Sequence, residues 1–247
     1  MHRFQLPMGG IGRRIAAAGT LLFAFAGLNG CTTVAGSSAA TLVRVIDTSQ
    51  NAPALDAYVA TVPIAYNFVG ASVTNYAFLG PGTATVDIDT HSPHAIVDQL
   101  SGKFLAGAQH SIYITDQGST YTAALLTDQN TPAPNGDVSF RFLQQANATG
   151  AVDVYLVPNG STIADAKPVY SALAAGTVTA YIDVPADTYE IAIAPAGTVI
   201  STTSKNLTVY TSTSTTFTTG QVRTVLILDA QLVATPPVTI LVASDVD

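Results

Sequence analysis

Two aspartates and two histidines fall within eight residues of this 247-residue chain: Asp87, Asp89, His91 and His94, in the stretch VDIDTHSPHAIV. Carboxylates and neutral imidazoles are ligands of Zn²⁺ and Cu²⁺. Strand alternation would put Asp87 and Asp89 on one face, with His91 and His94 in the turn that follows. The group is therefore the candidate metal or small-ligand site. Its spacing matches no standard zinc motif, and the second half of the chain has no histidine at the corresponding place. A polar hairpin with solvated acids is the stronger reading. Other chemistries fare worse. Beyond residue 31 the histidines are His91, His94 and His110, and no G-x-S-x-G elbow occurs, so a positioned nucleophile and base are not in view. His110 aligns with Arg223 of the second half and reads as a surface residue. Paired carboxylates for glycoside hydrolysis lack support as well: Glu190 is the single glutamate, Trp is absent, and Asp187 with Glu190 reads as the flank of a turn and a strand. No catalytic residue and no cofactor is expected, and the chain reads as a non-enzyme.

A different chemistry belongs to Cys31, the one cysteine. Residues 1–14 carry Arg3, Arg13 and Arg14 and no acid, and Ile15 to Gly27 is an apolar run of thirteen residues. That is short for a bilayer span, which takes about 20 residues, and suits the apolar core of a signal peptide. Leu28-Asn29-Gly30-Cys31 then resembles the lipobox of bacterial lipoproteins, although Asn29 departs from the usual small or aliphatic residue. The resemblance implies cleavage after Gly30, diacylglyceryl attachment to the Cys31 sulfur and N-acylation, palmitate included. Thr32 stands where an aspartate would favour inner-membrane retention, so outer-membrane placement is expected. The membrane is thus a partner through the lipidated cysteine. Residues 31–40, small and polar, read as a flexible tether.

A repeated signature links the rest. Leu42-Val43-Arg44-Val45-Ile46 resembles Ser139-Phe140-Arg141-Phe142-Leu143, and Ala54 to Val59 (ALDAYV) resembles Ala151 to Leu156 (AVDVYL). Arg44 precedes Asp56 and Tyr58 at the spacing with which Arg141 precedes Asp153 and Tyr155. A shared spacing of this kind points to a structural pair, Arg44 with Asp56 and Arg141 with Asp153, tying the first strand to the second with the tyrosine beside it. A ligand-binding row is the alternative. The match continues through Val73-Thr74-Asn75-Tyr76 against Val178-Thr179-Ala180-Tyr181, and through Leu126-Thr127-Asp128 against Ala243-Ser244-Asp245.

The elements that must carry these residues are strands. Short runs rich in Val, Ile, Thr and Tyr, bounded by Gly, Pro, Asn and Asp, fall near 42–47, 55–61, 73–79, 83–89, 95–100, 110–116 and 121–127. A second set falls near 138–144, 152–157, 178–184, 188–194, 206–218, 222–229 and 238–244, and Ile163 to Ala175 could hold a helical turn. About seven short strands per copy predict two tandem immunoglobulin-like or Greek-key β-sandwich domains, 41–130 and 137–247, after a signal peptide at 1–30. Gln129 to Asp137, with two prolines and an Asn-Gly, is the linker.

With Arg44-Val45-Ile46-Asp47 and Asn51-Ala52-Pro53-Ala54-Leu55-Asp56-Ala57-Tyr58-Val59 in view, the chain resembles the DUF4397 family. The resemblance covers about 41–245 in two copies, the second weaker because Asn147-Ala148-Thr149-Gly150 replaces the Asn-Ala-Pro stretch. It implies sandwich-like domains of secreted and surface proteins and transfers no catalytic residue.

Charge narrows the partners. Without the three arginines of the leader, six basic residues face sixteen acids, a net charge of −10. No basic cluster is present to hold phosphates, so a nucleic-acid ligand is excluded. With 10% charged and 48% hydrophobic residues, the surface must be covered by Thr, Ser, Asn, Gln and Gly, as in exported β-proteins. Two functions remain: a non-enzymatic envelope lipoprotein with a structural, adhesive or partner-binding role toward a protein or glycan, or a periplasmic small-ligand or metal-binding module using the Asp87–His94 turn.

Overall fold

Side-chain alternation in the first strand sets the architecture. In Thr41–Asp47, Val43 and Val45 project to one side and Arg44 and Ile46 to the other, and all four are at most 1% exposed. A strand buried on both faces must be covered twice. The same pattern recurs in Asp137–Gln145, where Phe140 and Phe142 alternate with Arg141 and Leu143.

The computed structural model describes residues 39–117, 120–201, 210–230 and 237–247, all within the unit Ser37–Asp247. The expected signal peptide, Cys31 and most of the tether lie outside the described residues. The chain is all-β and sandwich-like, as expected. The first half holds β1 (Thr41–Asp47), β2 (Leu55–Val59), β3 (Val62–Phe68), β4 (Ser72–Val73), β5 (Ala77–Leu79), β6 (Gly82–Thr90), β7 (Ile96–Phe104), β8 (Gln109–Gln117) and β9 (Thr120–Asp128). The second holds β10 (Asp137–Gln145), β11 (Val152–Pro158), β12 (Tyr170–Leu173), β13 (Ile182–Pro185), β14 (Thr188–Pro195), β15 (Tyr210–Thr211), β16 (Thr215–Thr216), β17 (Val222–Asp229) and β18 (Val238–Val246). Between β9 and β10 there is no regular element, as the prolines of the linker require.

One sheet of the first half runs β4-β1-β8-β9, with β5 also on β1, and the other runs β3-β2-β6-β7. The second half repeats this as β13-β10-β17-β18 and β12-β11-β14-β15, with β16 also on β14. β1 lies parallel to β8, and β10 parallel to β17. This order is not the immunoglobulin one, in which the first two strands share a sheet. Here the connection after β1 crosses to the facing sheet, because β2 must aim Leu55, Ala57 and Val59 at Val43 and Val45 across the core.

Each half has its own core. In the first, Val43, Val45, Leu55, Ala57, Val59, Val86, Ile88, Phe104, Ile112 and Ile114 pack together. In the second, Phe140, Phe142, Val152, Val154, Ile191, Ile193, Val225 and Ile227 do so. A third cluster joins the outer faces of the two long sheets: Ile46 and Tyr113 against Leu143, Leu226 and Leu228. The halves lie side by side, not end to end. Following the chain from Arg44 in β1 to Gln50 just beyond it, the contact moves from Asp245, on β18 beside the start of β17, to Asp229 at the end of β17, so β1 and β10 point the same way.

Two strands were not foreseen. β3 follows β2 through Ala60 and Thr61, with Ala60 at φ 53°, a left-handed conformation that Gly or Asn usually takes. With neither residue there, Leu55 to Thr61 reads as one uninterrupted strand. β12 lies in the Ala-rich stretch expected to hold a helical turn; a turn is present near residue 164, and the chain then returns to the sheet beside β11.

Candidate functional site

The Asp–His group sits on the outer face of the sheet that holds β2 and β6. Leu55, Ala57, Val86 and Ile88 point into the core, which turns Asp56, Tyr58, Asp87 and Asp89 outward. Strand pairing sets Asp56 opposite Asp89 and Tyr58 opposite Asp87. Asp87 accepts a hydrogen bond from Gln99 Nε2 at 2.6 Å. Both imidazoles turn to Asp56: His91 Nδ1 lies 3.0 Å and His94 Nδ1 3.5 Å from its carboxylate. His91 also meets the Tyr66 ring edge-on, with centroids 4.6 Å apart. Burial, then the Asp87 charge, push the Asp89 carboxyl above its ordinary value, against the opposing pull of His94. The four residues of the candidate metal site thus do not converge on one point. Among the described residues no three His, Cys, Asp or Glu side chains are placed to hold a metal ion. The physical reason is competition: Asp87 is engaged by Gln99, and the histidines serve a fully buried carboxylate on the neighbouring strand.

That carboxylate has a backbone role in both halves. Asp56 Oδ1 accepts the N–H of Asn67 at 2.7 Å, and Asp153 Oδ1 accepts the N–H of Ala172 at 2.7 Å. Asn67 (φ 52°) and Ala172 (φ 50°) are both in the left-handed region, so each aspartate secures an irregular step in the adjacent edge strand. The second oxygen differs. Asp153 Oδ2 takes the Gly197 N–H at 3.2 Å, while the first half supplies His91 and His94 instead. Tyr58 reaches Asp56 at 3.5 Å, and Tyr155 is buried with Val157, Ala192 and Ala194.

The expected pairs Arg44–Asp56 and Arg141–Asp153 do not form. Arg44 leaves the sandwich on the outer face of one sheet and Asp56 on the outer face of the other, so their constant spacing records strand register, not contact. Each arginine instead reaches into the other half. Arg44 Nη2 bonds Asp245 Oδ1, and its Nη1 donates to the Ser244 carbonyl at 2.9 Å. Arg141 Nη2 donates to Asp128 Oδ1 at 2.6 Å, with its Nη1 3.5 Å from the Thr127 carbonyl. Tyrosines cover both guanidinium groups, Tyr76 at 4.6 Å from Arg44 and Tyr181 at 4.7 Å from Arg141. Tyr76 donates to Asp128 at 2.7 Å and Tyr181 to Asp245 at 2.9 Å. Hydroxyls complete each carboxylate: Ser111 to Asp128 at 2.6 Å, Thr224 to Asp245 at 2.7 Å. Each of these contacts has its counterpart on the other side.

Electrostatics follow from that closure. Burial, then the Asp128 carboxylate, raise the Tyr76 phenol far above its ordinary value, and burial with Asp245 does the same to Tyr181. Burial pulls the Arg141 guanidinium down, but Asp128, Tyr181 and Asp245 together hold it above its ordinary value. Chemically the centre is a clamp: charges of both signs, fully bonded and nearly dry. Asp128, Asp245, Tyr76 and Tyr181 were visible in the repeat alignment, and that recurrence was their signal. Two open grooves flank the clamp. One, about 530 Å³, runs between Ala71–Tyr76 and Leu241–Asp247; the other, about 360 Å³, lies between Thr122–Leu126 and the Gly176–Val178 stretch.

Two further buried groups stand out. His110 is 1% exposed, not on the surface: its Nε2 accepts the Leu105 N–H at 3.1 Å and its ring meets Phe104 edge-on. Asp47, fully buried at the end of β1, is pushed up to about 6 by burial, with the nearby Asp116 charge adding to the effect.

None of the curated proteins matches this chain. A family model does, over residues 41–155, which takes in all nine strands of the first half, the linker, and the second copy of the signature through Asp153 and Tyr155. Over that stretch the chain matches the DUF4397 family, described as a domain of unknown function.

Proposed function

We propose that this protein is a non-enzymatic, lipid-anchored component of the cell envelope, whose doubled β body serves as a rigid structural, adhesive or partner-binding module. The observation that carries the reading is the reciprocal Arg–Asp clamp. It commits a buried arginine and a buried aspartate of each half to joining the two, as a rigid scaffold requires. The geometry suits an anchor at Cys31. From there to Thr41 is ten residues, a reach of at most about 35 Å. At the start of β1, the Ala40 carbonyl accepts the Gly107 N–H, so the chain enters the body beside the turn at 105–108. Because both halves point the same way, the loops at 48–54, 91–95 and 146–151 lie at the far end of the strands, where a protein or glycan partner would meet them. Several acyl chains, at about 0.8 kcal/mol per buried methylene, hold the protein without any membrane-seeking surface on the body itself.

The test is metabolic labelling with radioactive palmitate of the wild-type chain and a Cys31→Ala variant, followed by separation of inner and outer membranes. Label on the wild type alone, with the protein in the outer-membrane fraction and the variant released, is the expected result. A mature protein with a free thiol in the medium would defeat the proposal. Cross-linking and capture from the same fraction then identify the partner.

A further inference from the structure

The doubled chain carries its own comparison at the end of the strands where β1 and β10 finish. Asp47 closes β1 where Gln144 stands in β10: Asp47 is paired with Ile114, and Gln144 with the matching Ile227. Each side chain receives the N–H two residues on, Ser49 to Asp47 Oδ1 at 2.9 Å and Ala146 to Gln144 Oε1 at 2.5 Å. They differ at the other atom. Gln144 Nε2 donates to the Gly150 carbonyl at 2.6 Å and so ties down its loop, whereas the fully buried Asp47 Oδ2 has no hydrogen-bond partner among the described residues. A carboxylate cannot donate as an amide does; only the protonated acid carries an O–H. Ionised, Asp47 is a buried charge beside the Asp116 carboxylate of β8.

The neighbouring anchor differs in the same sense. Asp153 Oδ2 takes the Gly197 N–H, a backbone donor that does not titrate. In the first half the matching carboxylate, Asp56, meets His91 and His94 instead, and an imidazole carries charge only while protonated. Asp89 of β6 lies beside His94, with Asp87 next to it, and both carboxylates favour that charge; the phenols of Tyr58 and Tyr66 lie alongside. Against it stands the second imidazole, with ring centroids 6.0 Å apart. The two anchors are joined, since the His91 N–H donates to the Ala54 carbonyl at 2.7 Å.

We propose that the loops at 48–54 and 91–95 form a proton-operated latch, closed in acid by a hydroxyl on Asp47 and by imidazolium charge against Asp56 and loosened toward alkaline pH, while the matching loops of the second half stay closed throughout. The latch goes beyond the envelope reading and needs neither anchor nor partner. Both arms have one sign. Asp47 holds its proton up to about 6 when closed and releases it near 3.8 when open, so closure is complete below about pH 4 and weakens as pH rises through 6. Between pH 5 and pH 8 that difference weakens closure about tenfold, and loss of the imidazolium charge adds to it.

Hydrogen exchange followed by mass spectrometry on the folded full chain at pH 5 and pH 8, corrected for the intrinsic rate at each pH, decides it. Protection at 48–54 and 91–95 should fall about tenfold or more from pH 5 to pH 8, with 146–151 and the segment around Gly197 unchanged. Asp47→Asn, which supplies a neutral amide as Gln144 does, should abolish the fall at 48–54 and leave part of it at 91–95. Adding His91→Gln and His94→Gln should leave both loops level across the range. The comparison of the two halves within the wild type needs no variant to fold. Equal changes in both halves, no change in the first, or an Asp47→Asn chain that keeps the whole fall at 48–54 would overturn the proposal.

Discussion

Asp128→Ala is the sharpest probe of the clamp. The Asp128 side chain is fully buried and accepts from Arg141 Nη2 at 2.6 Å, Tyr76 at 2.7 Å and Ser111 at 2.6 Å. Truncation leaves Arg141, 2% exposed, without its paired carboxylate and with Thr224, the Thr127 carbonyl and the Tyr181 ring as neutral partners. Removing one member of a buried ion pair costs about 3–5 kcal/mol, because the surviving charge is neither hydrated nor compensated. In a body of this size that lowers the melting temperature by about 6–20 °C. A second comparison separates the desolvation effect from the bonds themselves. In Asp128→Leu/Arg141→Met both charges are replaced by apolar groups, and the loss should be well below that of the single variant. Urea unfolding at constant slope supplies both free energies. The wild type should unfold in one transition, while Asp128→Ala, with one of the two arms of its clamp lost, should unfold with less cooperativity. A loss under about 1 kcal/mol, typical of an exposed pair, would refute the reasoning.

Four other outcomes follow from particular residues. Asp47 has a folded-state value near 6, above the ordinary 3.8, so the folded state holds its proton longer than the unfolded one; its contribution is complete below about pH 4 and is lost as pH rises through 6, at a cost of about 3 kcal/mol. Asp47→Asn should therefore match wild type near pH 4 and exceed it in melting temperature at about pH 7.5; a constant difference across that range would exclude Asp47 as the titrating group. Asp56→Ala removes the acceptor of the Asn67 N–H and should lower the melting temperature by several degrees, as Asp153→Ala should through Ala172. A Cβ at Gly70 would lie 1.8 Å from the Ser49 carbonyl oxygen, whereas Gly80 has nothing within 4 Å, so Gly70→Ala should destabilise by about 3 kcal/mol or more and Gly80→Ala by little. Calorimetric titration with Zn²⁺ should give no heat, since the Asp87–His94 stretch does not assemble a ligand set.

Some of this architecture is written locally. Strand character came from the alternation of Val, Ile and Thr, the linker from Pro132, Pro134 and Asn135-Gly136, and the doubling from the recurrence of Arg, Asp, Tyr and the closing Asp. Local signals failed where backbone conformation parted from residue type. Ala60 and Ala172 both take left-handed angles without being Gly or Asn, and the strands beside them, β3 and β12, are the two that went unforeseen. The tertiary context supplied the energy that their propensities do not advertise.

Pairing is the other boundary. A repeat shows that Arg44 and Asp56 keep their distance along the chain, but a strand has two faces and a sandwich two outer surfaces, so equal spacing says nothing about contact. Amino-acid order settled which residues alternate inward, where the chain turns and that it is doubled, because those depend on neighbours a few positions apart. It could not settle that Arg44 crosses two hundred positions to Asp245, or that His91 and His94 turn to Asp56 and not to a shared ion. Those choices are made by the packing of one sheet on another, where burial decides which charge a guanidinium or an imidazole must find.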